Sequence, residues 1–153
     1  ALSEIRAGLT TPIDAEVFAY GRLPLAHSAR CFTARHFNLQ KDTCEFRCLA
    51  IMDGLSLRTR EGEPFLTLNG VQTQSARVHN LLADLPSLVD RAELLRISPQ
   101  GAHTLEILNL FRSALDGSLT PALALDTSRD YMPEAPCNGF WHGRPGVEQY
   151  VAA

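Results

Sequence analysis

Residues 14–21 read DAEVFAYG, and residues 22–31 continue RLPLAHSARC. Val17, Phe18 and Tyr20 are strand formers and Gly21 closes the run, so this stretch predicts a β-strand that delivers a polar, proline-containing loop to Cys31. Downstream, the alternation in LSLRTR (55–60), the turn residues EGEP (61–64) and FLTLNG (65–70) predict a β-hairpin. Val78, Leu81, Leu82 and Leu85 recur at the spacing of a one-faced helix, with Ser75 as its cap and Pro86 ending or bending it. ELLRIS (93–98) reads as a strand, and Leu105, Leu108, Phe111 and Leu115 as the stripe of a second helix. Gly117 stands where a helix C-cap favours glycine. From Ser118 onward, proline and glycine punctuation predicts an extended tail across the surface. Upstream, LSEIRAGLTTP resembles a helix end and a linker into a strand, as if the chain were entered midway. The order is α/β, and strands separated by helices imply parallel pairing. These units are too few to close an eight-stranded barrel, which takes about 250 residues.

A chain of 153 residues with 45% hydrophobic content is expected to form one compact domain. No apolar run is long enough to span a bilayer and no secretory signal pattern opens the chain, so a soluble, cytoplasmic protein is expected. The net charge of -3 is mild and calls for no nucleic acid partner. Its distribution is uneven. Between positions 22 and 48, Arg22, Arg30, Arg35, Lys41 and Arg47 face only Asp42 and Glu45. This basic stretch either offsets a nearby anion or is a solvated loop.

The same stretch holds three of the four cysteines, Cys31, Cys44 and Cys48, in the pattern C-x12-C-x3-C. Thiolates gathered this way are the usual ligands of an iron-sulfur cluster or a zinc ion. The absence of a CxxC pair tilts the reading from zinc toward a cluster. Ordinary buried thiols are the alternative, and positions beside Arg30, Lys41 and Asp42 suit that poorly. A closed site wants four ligands. Cys137 is one candidate for the fourth, and a segment or subunit outside this chain is the other.

His27 and His36 flank Cys31 and stand within reach of a substrate or cluster, whereas His79 and His103 are expected at the surface. No GxSxG, HExxH or glycine-rich phosphate loop is present, so hydrolysis and nucleotide binding have no motif support. Asn69–Gly70 and Ser98–Gln100 follow expected strands, where α/β proteins place functional loops or simple turns.

The segments YGRLPLAHSARCFTAR, KDTCEFRC, LNGVQTQS, RISPQG and CNGFWHG resemble the C-terminal half of the peptidase U32 family, closest to its UbiV (YhbV) branch, from about Glu16 to the end. The resemblance implies a partial U32 domain over 1–153: the C-terminal part of a (β/α) TIM-like barrel with a cysteine-bearing loop, a β-hairpin and an extended C-terminal tail. It implies a [4Fe-4S] cluster held by Cys31, Cys44 and Cys48, with the fourth ligand in an N-terminal half that this chain lacks. Cys137 matches a family cysteine that is not the usual ligand. It also implies oxygen-independent hydroxylation of a ubiquinone precursor ring, in a heterodimer with a UbiU-like paralogue and with prephenate as oxygen donor. Arg22, Arg30 and Arg35 are the candidates for holding substrate carboxylates; no catalytic residue is assigned. Other readings are a U32-type RNA base hydroxylase, which the mild negative charge opposes, a non-catalytic metal-binding module, and a peptidase, for which no activated nucleophile is evident.

Overall fold

The computed structural model describes residues 2–150. After the short helix α1 (Leu2–Ala7), strand β1 (Glu16–Gly21) forms where the sequence places it and becomes progressively buried toward Tyr20 and Gly21. The chain then passes through Arg22 into β2 (Pro24–His27), the short helix α2 (Phe32–His36), and two 3₁₀ turns at Lys41–Thr43 and Arg47–Ala50. The expected hairpin is present as β3 (Leu55–Arg58) and β4 (Pro64–Asn69), paired antiparallel from Leu55↔Leu68 to Arg58↔Pro64. β5 (Gln72–Ser75) returns antiparallel to β4, and β6 (Val78–Asn80) follows. Helix α3 (Leu85–Leu88), strand β7 (Leu94–Ile97), helices α4 (Thr104–Leu115) and α5 (Pro121–Ser128), and the short β8 (Pro136–Cys137) complete the order.

The result is a mixed α/β fold with two four-stranded sheets, ordered β7-β1-β6-β8 and β2-β5-β4-β3, and neither sheet closes into a barrel. The chain changes sheet twice, from β1 to β2 and back from β5 to β6. Residues 24–75 therefore form a lobe of their own, which carries Cys31, Cys44 and Cys48. The first sheet is mixed: β1 runs parallel to β7 and β6 to β8, while β1 and β6 are antiparallel. Pairing is thus only partly the parallel arrangement that strand–helix alternation implies. The second sheet is antiparallel throughout.

The core lies between the first sheet and the helices, where Ala19, Tyr20, Val78, Leu81, Leu82, Leu85, Leu88, Ile107, Phe111, Ala124 and Leu125 are buried together. Tyr20 meets Phe111 edge-on, with ring centroids 6.3 Å apart. Burying each such side chain contributes roughly 1.5–3 kcal/mol.

Four sequence expectations change here. The stretch from Val78 to Leu85 is not one helix: Val78 lies in β6, only Leu82–Asp84 form a 3₁₀ turn before α3 begins at Leu85, and the Leu81 amide bonds the Ala19 carbonyl at 2.9 Å, so the neighbouring strand satisfies a backbone group that a helix would need. Ser75 sits in β5 and caps nothing, and Pro86 falls in the first turn of α3, where a missing N–H is harmless. Helix α4 exists, but its buried face is Ile107 and Phe111, flanked by Leu110 and Ala114, while Leu105, Leu108 and Leu115 are exposed. The extended C-terminal tail is likewise overturned. Thr120 caps α5 by accepting the Leu123 amide, Pro121 occupies its first turn, and β8 joins the first sheet beside β6. Proline there starts a helix rather than preventing one. Finally, His79 is buried in β6, not at the surface; desolvation lowers its pKa, with a backbone hydrogen bond to Phe18 and the charge of Asp84 opposing.

Candidate functional site

Cys31 caps α2, its Sγ accepting the Ala34 amide at 3.5 Å. The helix packs against the 3₁₀ turn that carries Cys48. Cys44 ends the preceding 3₁₀ turn, and two residues with positive φ, Glu45 (53°) and Phe46 (51°), separate it from that second turn. Two successive left-handed residues without glycine are uncommon, and a bulky phenylalanine there is an outlier. All three thiols are free and half-buried.

The structure distributes the remaining candidates over two openings. Arg30 and Arg35 line a cavity of about 380 Å³ with Cys31 and Asn38. Arg22 lines a different cavity, of about 360 Å³, with Cys48, Asp53, Asn69, Gln74 and Gln100. Cys44 lines neither, and among the described residues no group of three or more His, Cys, Asp or Glu side chains stands at metal-binding proximity. Cys137 lies apart, 1% exposed in β8, beside a small apolar groove lined by Leu23, Leu25 and Phe65. Burial pushes its thiol up to about 11, slightly opposed by Arg77. His27 and His36 are both exposed.

Arg22 is the most constrained of these side chains. It is 8% exposed and sits at the crossing between the sheets, where its Nη1 donates to the Ser75 carbonyl at 3.0 Å and to that of Ala76. The crossing is tightened by Leu23 N donating to Ser75 Oγ and Ser75 N to the Leu23 carbonyl, both at 2.9 Å. Burial lowers the Arg22 pKa, and Asp53, Glu134 and Tyr20 oppose the change. Its Nε, like the Tyr20 hydroxyl, is buried without a hydrogen-bond partner among the described residues. Tyr20 is raised to about 12, by burial and then by the negative charge of Asp53, with Arg22 opposing.

Loops flagged in the sequence complete this cavity. Asn69 lies at the end of β4 and its amide nitrogen donates to the Met52 carbonyl at 3.3 Å. Gln100 Nε2 donates to the carbonyls of Ser98 and Pro99. Gly21, at φ 124°, lets this loop close on β1: a Cβ there would lie 2.7 Å from that of Ser98. Asp53, Gln74 and Tyr20 escape sequence reasoning because nothing in their local pattern marks them; only the sheet crossing brings them beside Arg22. Among the described residues no helix is long and apolar enough to cross a membrane. No family model matches the chain, and no solved structure matches it.

Proposed function

We propose that this chain is part of an iron-sulfur protein of oxygen-independent ubiquinone biosynthesis, the C-terminal portion of a U32-type barrel. In this reading it acts with a UbiU-like paralogue in hydroxylating the precursor ring, in the cytoplasm, with prephenate as oxygen donor. The observation that carries the reading is the 31–48 segment: three free thiols on a short helix and two 3₁₀ turns, the helix packed on the second turn, with the strained pair Glu45 and Phe46 between the second and third thiols. Strain of this kind costs on the order of 1–3 kcal/mol per residue and concentrates at functional sites.

The donor set fits a thiolate-bound cluster in kind. Cys31, Cys44 and Cys48 would hold it, with the fourth ligand outside this chain, and zinc is the alternative occupant. Among the described residues between 24 and 75 only Thr33, Ala34 and Thr67 are buried, so few packing contacts resist the closing of the loop around a metal. Bound, the cluster supplies redox or Lewis-acid iron for a hydroxylation that uses no dioxygen. The protein's own contributions are electrostatic and steric. Arg30 and Arg35 set positive charge beside Cys31, which would offset the negative charge of a thiolate-ligated centre. Arg22 offers a buried cation beside Cys48, suited to anchoring a carboxylate. Phe46, Leu49 and Met52, 72%, 75% and 63% exposed around Cys48, give a partner subunit an apolar surface that also excludes water.

The test is anaerobic purification followed by iron and sulfide analysis of the chain with its paralogue, with and without Cys44→Ala. Iron and sulfide in equal amounts, lost in the variant, are expected. Zinc in place of iron, or iron content indifferent to Cys44, would overturn the assignment.

A further inference from the structure

We propose that Asn69–Gly70 is a deamidation site, where asparagine converts to aspartate or isoaspartate and thereby loosens the segment that carries Cys31. This goes beyond the metal reading and does not require it.

Asparagine followed by glycine occurs twice in the chain, at Asn69–Gly70 and Asn138–Gly139. In such a pair the glycine amide nitrogen can attack the asparagine Cγ, because glycine has no Cβ to hinder the approach and leaves the backbone able to turn. An N–Cγ bond forms and the Cγ–Nδ2 bond breaks. Ammonia leaves, carrying the proton that the glycine nitrogen gives up, and a cyclic succinimide remains. Water then opens either carbonyl carbon–nitrogen bond of the ring. One route restores the main chain with aspartate, and the other runs it through the side chain as isoaspartate. Water is the co-reactant, and no electron is transferred.

The structure separates the two sites. Asn69 ends β4 and pairs with Gln72, so Gly70 and Val71 form the turn, with Gly70 at φ 58°. The Gly70 N–H has no hydrogen-bond partner among the described residues, and a Cβ placed on Gly70 would meet nothing within 4 Å. The Asn69 side chain donates only to the Met52 carbonyl, at 3.3 Å. Ring closure requires the turn to leave its hairpin geometry, and the lobe around it contributes no buried hydrophobic side chain to the core that would resist this. Asn138 is the reverse case. Its side chain makes hydrogen bonds of 2.9, 2.8 and 2.6 Å, the Gly139 N–H donates to the Glu148 carbonyl at 3.0 Å, and a Cβ on Gly139 would run into the Pro145 carbonyl.

The turn is also a support. The Val71 carbonyl accepts the Ser28 amide at 2.8 Å and the Gly70 carbonyl accepts the Phe32 amide at 2.7 Å, one bond on each side of Cys31. Isoaspartate adds a main-chain carbon at position 69 and displaces both carbonyls. Either product sets a second carboxylate in the cavity that Asp53 lines and removes the donor to Met52.

The experiment ages the wild-type chain at pH 8, native and in urea, and follows each site by peptide mass spectrometry, with an isoaspartyl carboxyl methyltransferase to identify isoaspartate. In urea the two sites should convert at similar rates, since glycine follows both. In the native protein Asn69 should convert at least tenfold faster than Asn138. The converted protein should lose hydrogen-exchange protection at the Ser28 and Phe32 amides, while an Asn69→Gln protein, whose longer side chain closes the ring far more slowly, should keep it through the same ageing. Equal native rates at the two sites, or no conversion of Asn69 over the period in which the urea sample converts, would overturn the site. Unchanged protection of Ser28 and Phe32 in converted protein would overturn its effect on the Cys31 segment. None of these readouts involves iron, so their failure leaves the cluster reading standing, and an iron-free protein leaves this one standing.

Discussion

At the scale of single residues, the four cysteines divide by burial rather than by sequence context. Cys137 is enclosed between β8 and its neighbours, and the loss of solvation raises its thiol to about 11, whereas Cys31, Cys44 and Cys48 are each partly open to solvent. Since only the thiolate is alkylated at a useful rate, a thiol with that pKa offers roughly 0.1% of the reactive form at pH 8. Iodoacetamide at pH 8 should therefore label three cysteines of the metal-free native protein and leave Cys137 untouched, until denaturant exposes it. Peptide mass mapping after a timed quench reads the result. Labelling of Cys137 at the rate of the other three would mean that β8 does not hold its place in the sheet.

At the scale of elements, the segment from Cys137 to Gly143 is a clasp. Asn138 is fully buried; its amide nitrogen donates to Asp84 Oδ2 at 2.9 Å and to the Tyr150 carbonyl at 2.8 Å, and its oxygen accepts the Tyr150 amide at 2.6 Å. His142 Nε2 lies 2.8 Å from Asp84 Oδ1, and Trp141 Nε1 donates to Ser87 Oγ at 3.2 Å. The C-terminal stretch is thereby fastened to the start of α3. Asn138→Ala removes three hydrogen bonds and strands buried partners, so a loss of about 2–4 kcal/mol in urea unfolding is expected. Asn138→Asp should cost more, because it sets a second carboxylate against Asp84; an Asp variant as stable as wild type would refute the clasp. This element also shows how far local pattern reaches. The β3–β4 hairpin and β7 were legible because each carries its own strand pattern and turn residues. The clasp, β8 and the Val78–Leu85 stretch were not, because their conformation depends on partners far along the chain, Asp84 for Asn138 and Ala19 for Leu81. Arg22 was legible as a cation near cysteines, yet its burial comes from the sheet crossing, which no local spacing encodes.

At the scale of the whole molecule, stability is unevenly distributed. The buried apolar cluster belongs to the first sheet with α3–α5 and the 3₁₀ turn before α3, while the 24–75 lobe contributes to it no buried hydrophobic side chain among the described residues. The lobe is held by sheet hydrogen bonds, by α2 packing on β4, and by Arg22 at its root. Backbone bonding without a core gives low opening free energies, so the lobe is expected to open as a unit while the first sheet stays closed. Native-state hydrogen exchange tests this with like compared to like, since β4 and β1 are both interior strands. Amides of Leu66 and Leu68 should exchange through an opening at least about 2 kcal/mol cheaper than those of Ala19 and Tyr20. Metal bound by Cys31, Cys44 and Cys48 would act on the lobe alone, because all three ligands lie within it, and ligation of the closed form raises the opening free energy by RT ln(1 + L/Kd), with L the free metal concentration. Loading iron and sulfide should then protect β4 and leave β1 unchanged. Equal protection of both strands without metal would make the two sheets a single cooperative unit, and protection of β1 on loading would place the metal outside the lobe.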